Sequence, residues 1–223
     1  MSKNNNYSLL KKFSLGQGVD LFGVADSTQL KKEIALSEQA VKKMSAAISL
    51  GVALSAGILE EISQSPTRLY FHHYKAANTF LDQVAFKVGH YIQKQGYRSI
   101  AIPASVIVDW VTQKAHLSHK HSARLAGLGW IGRNNLLVNK KLGSQFRLAT
   151  ILTDMPLTFD KPTKERCGSC RACVQVCPAG AIQEDPQAFD HQKCFEKLKE
   201  FQKQRLVDQY ICGVCVNACK GSR

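Results

Sequence analysis

The sequence predicts a layered domain of strands and helices followed by a small cysteine-rich module. Buried-strand patterns alternate with amphipathic helical patterns over residues 1–160, which is typical of layered α/β or α+β domains. All eight cysteines of the 223-residue chain lie between Cys167 and Cys219. We therefore predict two domains, 1–160 and 161–223, divided by a linker at Pro162 and its charged neighbours.

The elements of the first domain follow from apolar patterns and turn residues. The clearest helical pattern covers 76–95, where Phe80, Val84 and Val88 recur at a spacing of four and Gly96 is placed to end the helix. Apolar runs predict strands at 18–26, 46–54, 98–103, 136–138 and 147–152. Helices are predicted at 27–44, 76–95 and 114–125.

The composition indicates a folded, basic protein. No apolar run approaches the roughly 20 residues of a membrane span, and the first residues lack the apolar region of a signal peptide. We therefore expect a cytoplasmic protein with no membrane partner. The formal charge of +13 would attract a phosphate-bearing cofactor, a nucleic acid or an acidic redox protein. Because no run of Lys or Arg exceeds two residues, a solvated basic surface explains the charge equally well.

The first four cysteines have the spacing of an iron–sulfur protein. Cys167, Cys170, Cys173 and Cys177 form C-x2-C-x2-C-x3-C, and Pro178 follows. This run is typical of bacterial ferredoxins, in which the fourth cysteine ligates the other of two clusters. Clustered cysteines in a reducing compartment indicate metal ligation rather than disulfides.

The remaining cysteines are less regular. Cys212, Cys215 and Cys219 form C-x2-C-x3-C, and Cys194 stands alone upstream. If Cys194 supplies the missing ligand, the eight thiolates form two sets of four. The first predicted 4Fe–4S cluster is then held by Cys167, Cys170, Cys173 and Cys219, and the second by Cys177, Cys194, Cys212 and Cys215. The alternative is one zinc ion held by two C-x2-C pairs, which leaves four cysteines without a role.

Motifs upstream of the cysteines resemble a known family. Residues 126–135 read AGLGWIGRNN, residues 149–156 read ATILTDMP, and the cysteine run follows. In this order they resemble the epoxyqueuosine reductase family, which is related to the reductive dehalogenases. The resemblance implies an α+β fold, with a nitroreductase-like, corrinoid-binding core and a ferredoxin-like double 4Fe–4S module. It suggests a short form that lacks the family's C-terminal helical-repeat region.

The resemblance also implies a corrinoid-binding segment. By position, AGLGWIGRNN would lie beside the cofactor, with glycines that let the backbone approach a flat macrocycle. Trp130 would pack on the ring, and the polar side chains would bond its amide or phosphate groups. The implied residues are Gly127, Gly129, Trp130, Gly132, Arg133 and Asn134. Alternatively, the segment is a tight packing element with Trp130 in the core.

The residue that would donate a proton in catalysis is less evident from the sequence. In the family a catalytic aspartate follows a strand in a motif like VDS, whereas the strand ending at 103 is not followed at once by an aspartate, and Asp109 lies further on. His119, His121 and Tyr74 are therefore the candidate donors. Because His119 and His121 fall on different faces of a helix, at most one of them faces a given site.

Together these observations predict an iron–sulfur, corrinoid-dependent reductase of unknown substrate. A ferredoxin- or flavodoxin-type donor of low potential would supply its electrons. One alternative is an electron-transfer or corrinoid-servicing protein without substrate chemistry of its own. A second alternative is a tRNA-modifying epoxyqueuosine reductase, which the charge of +13 favours.

Overall fold

The computed structural model describes residues 2–221, and these residues form an α+β fold as predicted. Two short 3-10 helices cover Ser27–Glu33 and Pro186–Ala188. The helices are α1 (Lys3–Gly16), α2 (Glu38–Val41), α3 (Ala56–Glu60), α4 (Arg68–Lys94), α5 (His119–Leu125), α6 (Ala172–Val176), α7 (His191–Lys203) and α8 (Val214–Ala218). The strands are β1 (Leu21–Asp26), β2 (Ala46–Ala53), β3 (Ser99–Ile102), β4 (Trp130–Ile131), β5 (Leu137–Val138) and β6 (Phe146–Thr153).

A four-stranded sheet in the order β1-β2-β6-β3 organises the first part of the chain. β1 runs antiparallel to β2, and β3 runs antiparallel to β6. All residues from Ala46 to Leu50 are fully buried, so both faces of β2 are covered. This explains why β2 reads as a continuous apolar run rather than an alternating one. A separate two-stranded ribbon pairs β4 with β5.

The two faces of the sheet have separate apolar cores. On one face Ile48 packs in a cluster with Leu10 of α1 and with Val84 and Val88 of α4. On the other face Ala47 belongs to a cluster that includes Leu30, Leu117, Ala126 and Leu152. The alternation of Ile48 and Ala47 between the two clusters is the period-2 pattern of a strand.

The described residues group into two compact units, and their division differs from the predicted one. The first unit contains residues 2–52, 78–129 and 147–163, and the second contains 53–77, 130–146 and 164–221. The start at 164 lies close to the predicted linker. The second unit also takes the start of α4 and the β4–β5 ribbon, because both pack with the cysteine-rich segment.

One predicted helix is wrong. Residues 27–44 form a 3-10 helix and the short α2 instead of one long helix. Side-chain caps start the two pieces separately: Asp26 Oδ1 accepts from Thr28 N at 2.9 Å, and Ser37 Oγ accepts from Ala40 N at 3.3 Å. Between them, Ala35 N donates to the distant carbonyl of His116 at 2.8 Å. That long-range bond replaces the bond that a continuous helix would need.

Helix α4 extends further than predicted. It begins at Arg68, so Tyr74 lies within the helix rather than before it. Its end is as predicted, since Gly96 adopts a left-handed φ of +84°. At 27 residues α4 is long, yet none of the helices within 2–221 has both the length and the apolar character of a membrane span.

We expect Gly23→Ala to destabilise the first unit by about 1–3 kcal/mol. A Cβ at Gly23 would lie 2.4 Å from the carbonyl oxygen of Ala126, so β1 and the end of α5 would have to separate. Gly57→Ala is the matched control, because a Cβ there meets nothing within 4 Å. Urea unfolding measures both variants. A Gly23→Ala protein as stable as the wild type would contradict the close approach.

Candidate metal centre

The first cysteines lie on a tight turn and a short helix. Cys170 N donates to the Cys167 carbonyl at 3.1 Å, and Gly168 between them adopts a left-handed φ of +54°. Helix α6 carries Cys173 and ends before Cys177, whose extended backbone (φ −66°, ψ 111°) leads into Pro178. The chain therefore turns away after Cys173, as the ferredoxin-like spacing predicted.

A second short helix carries the last cysteines. Helix α8 packs against α6 and follows Gly213, whose φ is +86°. A Cβ at Gly213 would lie 2.6 Å from the Tyr70 ring, so only glycine fits at the position directly after Cys212. The close approach of Gly143 to the Cys219 carbonyl likewise leaves no room for a Cβ.

Cys194 reaches the site from the first turn of α7. Asp190 caps this helix, since its Oδ1 accepts from Lys193 N at 2.9 Å. Asp190 N also donates to the Ala181 carbonyl at 2.9 Å, which ties the start of α7 to the segment after Pro178. The helix thereby places the isolated Cys194 near Cys177. The cysteine spacing had suggested this only because Cys194 was the one cysteine left to complete a second set of four.

Three other cysteines lie close enough to Cys173 to affect its pKa, and together with Cys173 they form the first set of thiols. The pKa of Cys173 is raised to about 11, chiefly by burial and additionally by the nearby Cys219, Cys167 and Cys170. Cys173 is 8% exposed. The structure therefore brings together the four cysteines that the sequence assigned to the first cluster.

Cysteines predicted to hold the second cluster also have raised pKa values. The pKa of Cys212 is raised to about 11, chiefly by burial and additionally by the nearby Cys194 and Cys177. Burial also raises the pKa of Cys215 well above its usual value, and the other three thiols of this set act in the same direction. Cys173 of the first set has a smaller effect on Cys215, which places the two sets next to each other.

The side chains of Trp130 and Arg133 contact the turn that carries the first cysteines. Trp130 Nε1 donates to Cys167 Sγ at 3.3 Å. The Arg133 guanidinium donates to the carbonyls of Gly168 and Cys170 at 3.0 Å each and to that of Glu184 at 2.7 Å. All three of these carbonyls belong to the cysteine-rich segment. The corrinoid contacts implied for Trp130 and Arg133 stay predictions beside these protein contacts.

The other residues implied for corrinoid binding also contact protein. Asn134 is 4% exposed and donates through Nδ2 to Ser144 Oγ at 3.1 Å. A Cβ at Gly132 would lie 2.6 Å from Val138, and one at Gly127 would lie 2.6 Å from the Lys161 carbonyl. Gly129 is buried. The corrinoid-binding role implied for these residues stays a prediction, as does the alternative of a packing element.

Both ring nitrogens of the candidate proton donor His119 are occupied. Nε2 bonds the Pro103 carbonyl at 2.9 Å, and Nδ1 bonds Thr150 Oγ1 at 2.8 Å. Since a carbonyl only accepts, Nε2 carries the proton and Nδ1 accepts from the hydroxyl. Burial lowers the pKa of His119 to about 4, so this neutral form dominates near pH 7. In this state His119 donates its one ring N–H to the backbone after β3, and its role as a proton donor stays a prediction.

The other two candidates have different surroundings. His121 Nδ1 lies 2.8 Å from Glu33 Oε2 in a surface pair, with 43% of the His121 side chain exposed. Tyr74 is 9% exposed, and its ring centroid lies 6.3 Å from that of Tyr70. Asp109 is exposed and accepts from the backbone amides of Val111 and Thr112 in a turn. No proton donor is assigned by these contacts.

Sequence reasoning missed a group of polar side chains around the residue after Pro103. Asp82 Oδ1 accepts from Ala104 N at 2.7 Å, and Arg147 Nη2 donates to the Ala104 carbonyl at 3.4 Å. Asn78 Oδ1 in turn accepts from Arg147 Nε at 2.9 Å. These residues are far apart in sequence and form no motif, so no local signal marks them.

Comparison with known families establishes the class of the cysteine-rich segment. A family model for a 4Fe–4S double cluster binding domain matches residues 166–221. The match identifies residues 166–221 as a double-cluster iron–sulfur domain, so two 4Fe–4S clusters are its cofactors, as the cysteine spacing predicted.

Similar proteins extend this result to the whole chain. An epoxyqueuosine reductase from Cyclobacterium marinum is 29% identical over 96% of this chain and 78% of the relative. The structure of epoxyqueuosine reductase from Streptococcus thermophilus matches with a TM-score of 0.69 and 19% identity over 96% of this chain and 65% of that one. The catabolic reductive dehalogenase NpRdhA gives a TM-score of 0.77 and 18% identity over 98% of this chain and 32% of that one. The chain is thus related to epoxyqueuosine reductases and shares the fold of reductive dehalogenases.

We expect the free energy of unfolding of His119→Gln to depend less on pH below pH 6.5 than that of the wild type. The folded-state pKa of about 4 lies below the ordinary 6.5, so the unfolded chain takes up the proton first as the pH falls. The stability that depends on neutral His119 is complete above pH 6.5 and is lost between pH 6.5 and 4. By pH 5 the wild type should lose about 2 kcal/mol more than the variant.

Urea unfolding at pH 7.5 and pH 5 measures this difference. The exposed His90 offers a control, because His90→Gln removes a histidine that makes none of the contacts of His119. Equal pH slopes for the wild type and His119→Gln would show that His119 is not buried in its neutral form.

Proposed function

We propose that this chain is an iron–sulfur oxidoreductase of the epoxyqueuosine reductase type, which delivers electrons singly to an acceptor. The observation that carries the proposal is the match of residues 166–221 to a double-cluster domain, together with eight cysteines that allow two sets of four. Two clusters side by side form a path for electrons. A core of about 160 residues would be unnecessary for a ferredoxin, which supports a reaction on this chain rather than electron storage alone.

We assign the cluster ligands as the sequence predicted them. The first set is Cys167, Cys170, Cys173 and Cys219, and the second set is Cys177, Cys194, Cys212 and Cys215. When bound, each cluster stores and passes one electron. The protein supplies four thiolates per cluster, and the burial of Cys173 keeps water from its sulfur. The raised thiol pKa values mean that protons must leave as iron binds.

We propose a corrinoid as the electron acceptor and a ferredoxin- or flavodoxin-type protein as the donor. Support comes from the fold, since one matched reductive dehalogenase structure is described with a mechanism for B12-dependent dehalogenation. The side chains of Trp130, Arg133 and Asn134 have protein partners, so this proposal assigns no corrinoid ligand to them. An electron-transfer protein that reduces a corrinoid elsewhere uses the same clusters and differs only in lacking a substrate.

Protein prepared without oxygen should contain about eight iron atoms per chain. Cys170→Ser should remove the spectroscopic signal of the first cluster, and Cys194→Ser should remove that of the second, because each loses one of four thiolates. Ser169→Ala, in the same turn as Cys170, is the control and should keep both clusters. Iron analysis and electron paramagnetic resonance of the reduced protein measure the outcome. Full iron content in Cys194→Ser would refute the assignment.

Cobalamin added to the reduced holoprotein tests the acceptor. Reduction of bound cobalt changes its visible spectrum, and a shift that requires both the protein and a low-potential reductant supports the proposal. An unchanged cobalamin spectrum together with binding of flavin would refute the corrinoid as the acceptor and leave the clusters in place.

A second candidate function is modification of tRNA. The related proteins are named epoxyqueuosine reductases, and one matched structure holds an epoxyqueuosine-modified stem loop of tRNA-Tyr. The formal charge of this chain is +13, which favours binding to phosphates.

If tRNA is the substrate, its binding should weaken steeply with salt. A protein that makes about six phosphate contacts loses roughly a thousandfold in affinity between 50 and 200 mM salt. Gel shifts of the holoprotein with tRNA at both concentrations measure the slope, and double-stranded DNA of equal length shows whether binding is selective. Equal binding of both nucleic acids, or no binding at 50 mM salt, would contradict this candidate.

A further inference from the structure

We propose that Trp130 raises the reduction potential of the cluster held by the first set of cysteines, by donating its indole N–H to Cys167. This inference rests on the proposed ligand assignment. Nε1 of Trp130 lies 3.3 Å from Cys167 Sγ, and Trp130 is 6% exposed. The indole has a donor and no acceptor, so the direction of the bond is fixed.

The local fold holds the indole and the sulfur in place. Trp130 begins β4 and pairs with Val138 of β5. Two residues later, a Cβ at Gly132 would lie 3.5 Å from Cys167 Sγ and 2.6 Å from Val138. The sulfur would tolerate that Cβ at an ordinary contact distance, whereas Val138 would clash with it, so glycine lets the chain after β4 pack closely against β5. The ribbon that carries the indole donor therefore lies in contact with the sulfur.

Arg133 fixes the other side of the same turn. Its guanidinium donates to the Gly168 and Cys170 carbonyls at 3.0 Å each. The turn around Cys167 is therefore bonded to two neighbouring side chains of one segment: Trp130 at the sulfur and Arg133 at the backbone. A turn held in this way keeps the N–H···S distance constant when the charge of the cluster changes.

A hydrogen bond to the ligand sulfur favours the reduced cluster. Reduction adds one negative charge, part of which resides on the cysteine sulfurs, and a donor stabilises that charge most in a buried site. Hydrogen bonds to the sulfurs are among the factors that set iron–sulfur potentials. In the second set, Cys177 Sγ accepts from the backbone amide of Ala181 at 3.4 Å. The Cys167 bond differs because it comes from a side chain and is open to substitution.

Trp130→Phe tests the role of the N–H while keeping a buried aromatic ring. We expect the variant to retain both clusters and the equilibrium constant for reduction of the first cluster to fall between threefold and tenfold, where tenfold is about 59 mV. Trp110→Phe is the matched control, because the only other tryptophan is 57% exposed and lies in a different segment. Its potentials should equal those of the wild type.

The measurement is a redox titration of the full-length holoprotein followed by electron paramagnetic resonance. Unchanged potentials in a Trp130→Phe protein that holds about eight irons would overturn the role of Trp130 and leave the proposed function intact. A wild-type protein without iron would overturn both proposals.

A second measurement covers the case in which Trp130→Phe loses a cluster. In Trp110→Phe, Trp130 is the sole tryptophan of the chain, and 4-fluorotryptophan can replace it during expression. Fluorination makes the indole N–H a stronger donor without removing the ring, so the first cluster's potential should rise. A potential equal to that of the unfluorinated Trp110→Phe protein would overturn the proposal.

Discussion

The need to hold eight thiol sulfurs in two adjacent sets governs the cysteine-rich unit. Burial disfavours the charged form of each thiol, and the neighbouring sulfurs add to the effect, as the raised pKa values of Cys173, Cys212 and Cys215 show. Without metal the folded site therefore favours protonated thiols, and the iron must displace these protons to bind. The surrounding backbone has to be fixed firmly enough to bring the sulfurs together before the metal stabilises them.

Close backbone packing and fixed donors supply that rigidity. Gly213 packs against the Tyr70 ring, Gly143 approaches the Cys219 carbonyl, and neither position has room for a side chain. Arg133 bonds three carbonyls of the cysteine-rich segment, and Trp130 bonds a sulfur directly. The segment that the family resemblance linked to a corrinoid thus contacts the cysteine-rich segment through two of its side chains. Support of a metal site by such outer contacts is a general feature of metalloproteins.

The elements that were predicted correctly are those that a local sequence pattern specifies. The strands around Val24 and Ile48 were correct because a buried strand reads as a continuous apolar run. The helix predicted at 27–44 was wrong because Ala35 bonds the distant His116 carbonyl, which no local pattern records. The polar group around Ala104 was missed for the same reason, since Asp82 and Arg147 meet only in the folded chain.

By itself, the sequence determined the chemistry of the cofactor. Cysteine spacing is a local property, and four thiols followed by Pro178 identify a cluster ligand run before any fold is known. The tertiary structure decided which partners the other candidate residues meet. Trp130, Arg133 and His119 are bonded to Cys167, Gly168 and Pro103 respectively. Each of these contacts joins residues at least sixteen positions apart, so the packing of the chain, and not its local pattern, sets the role of these side chains.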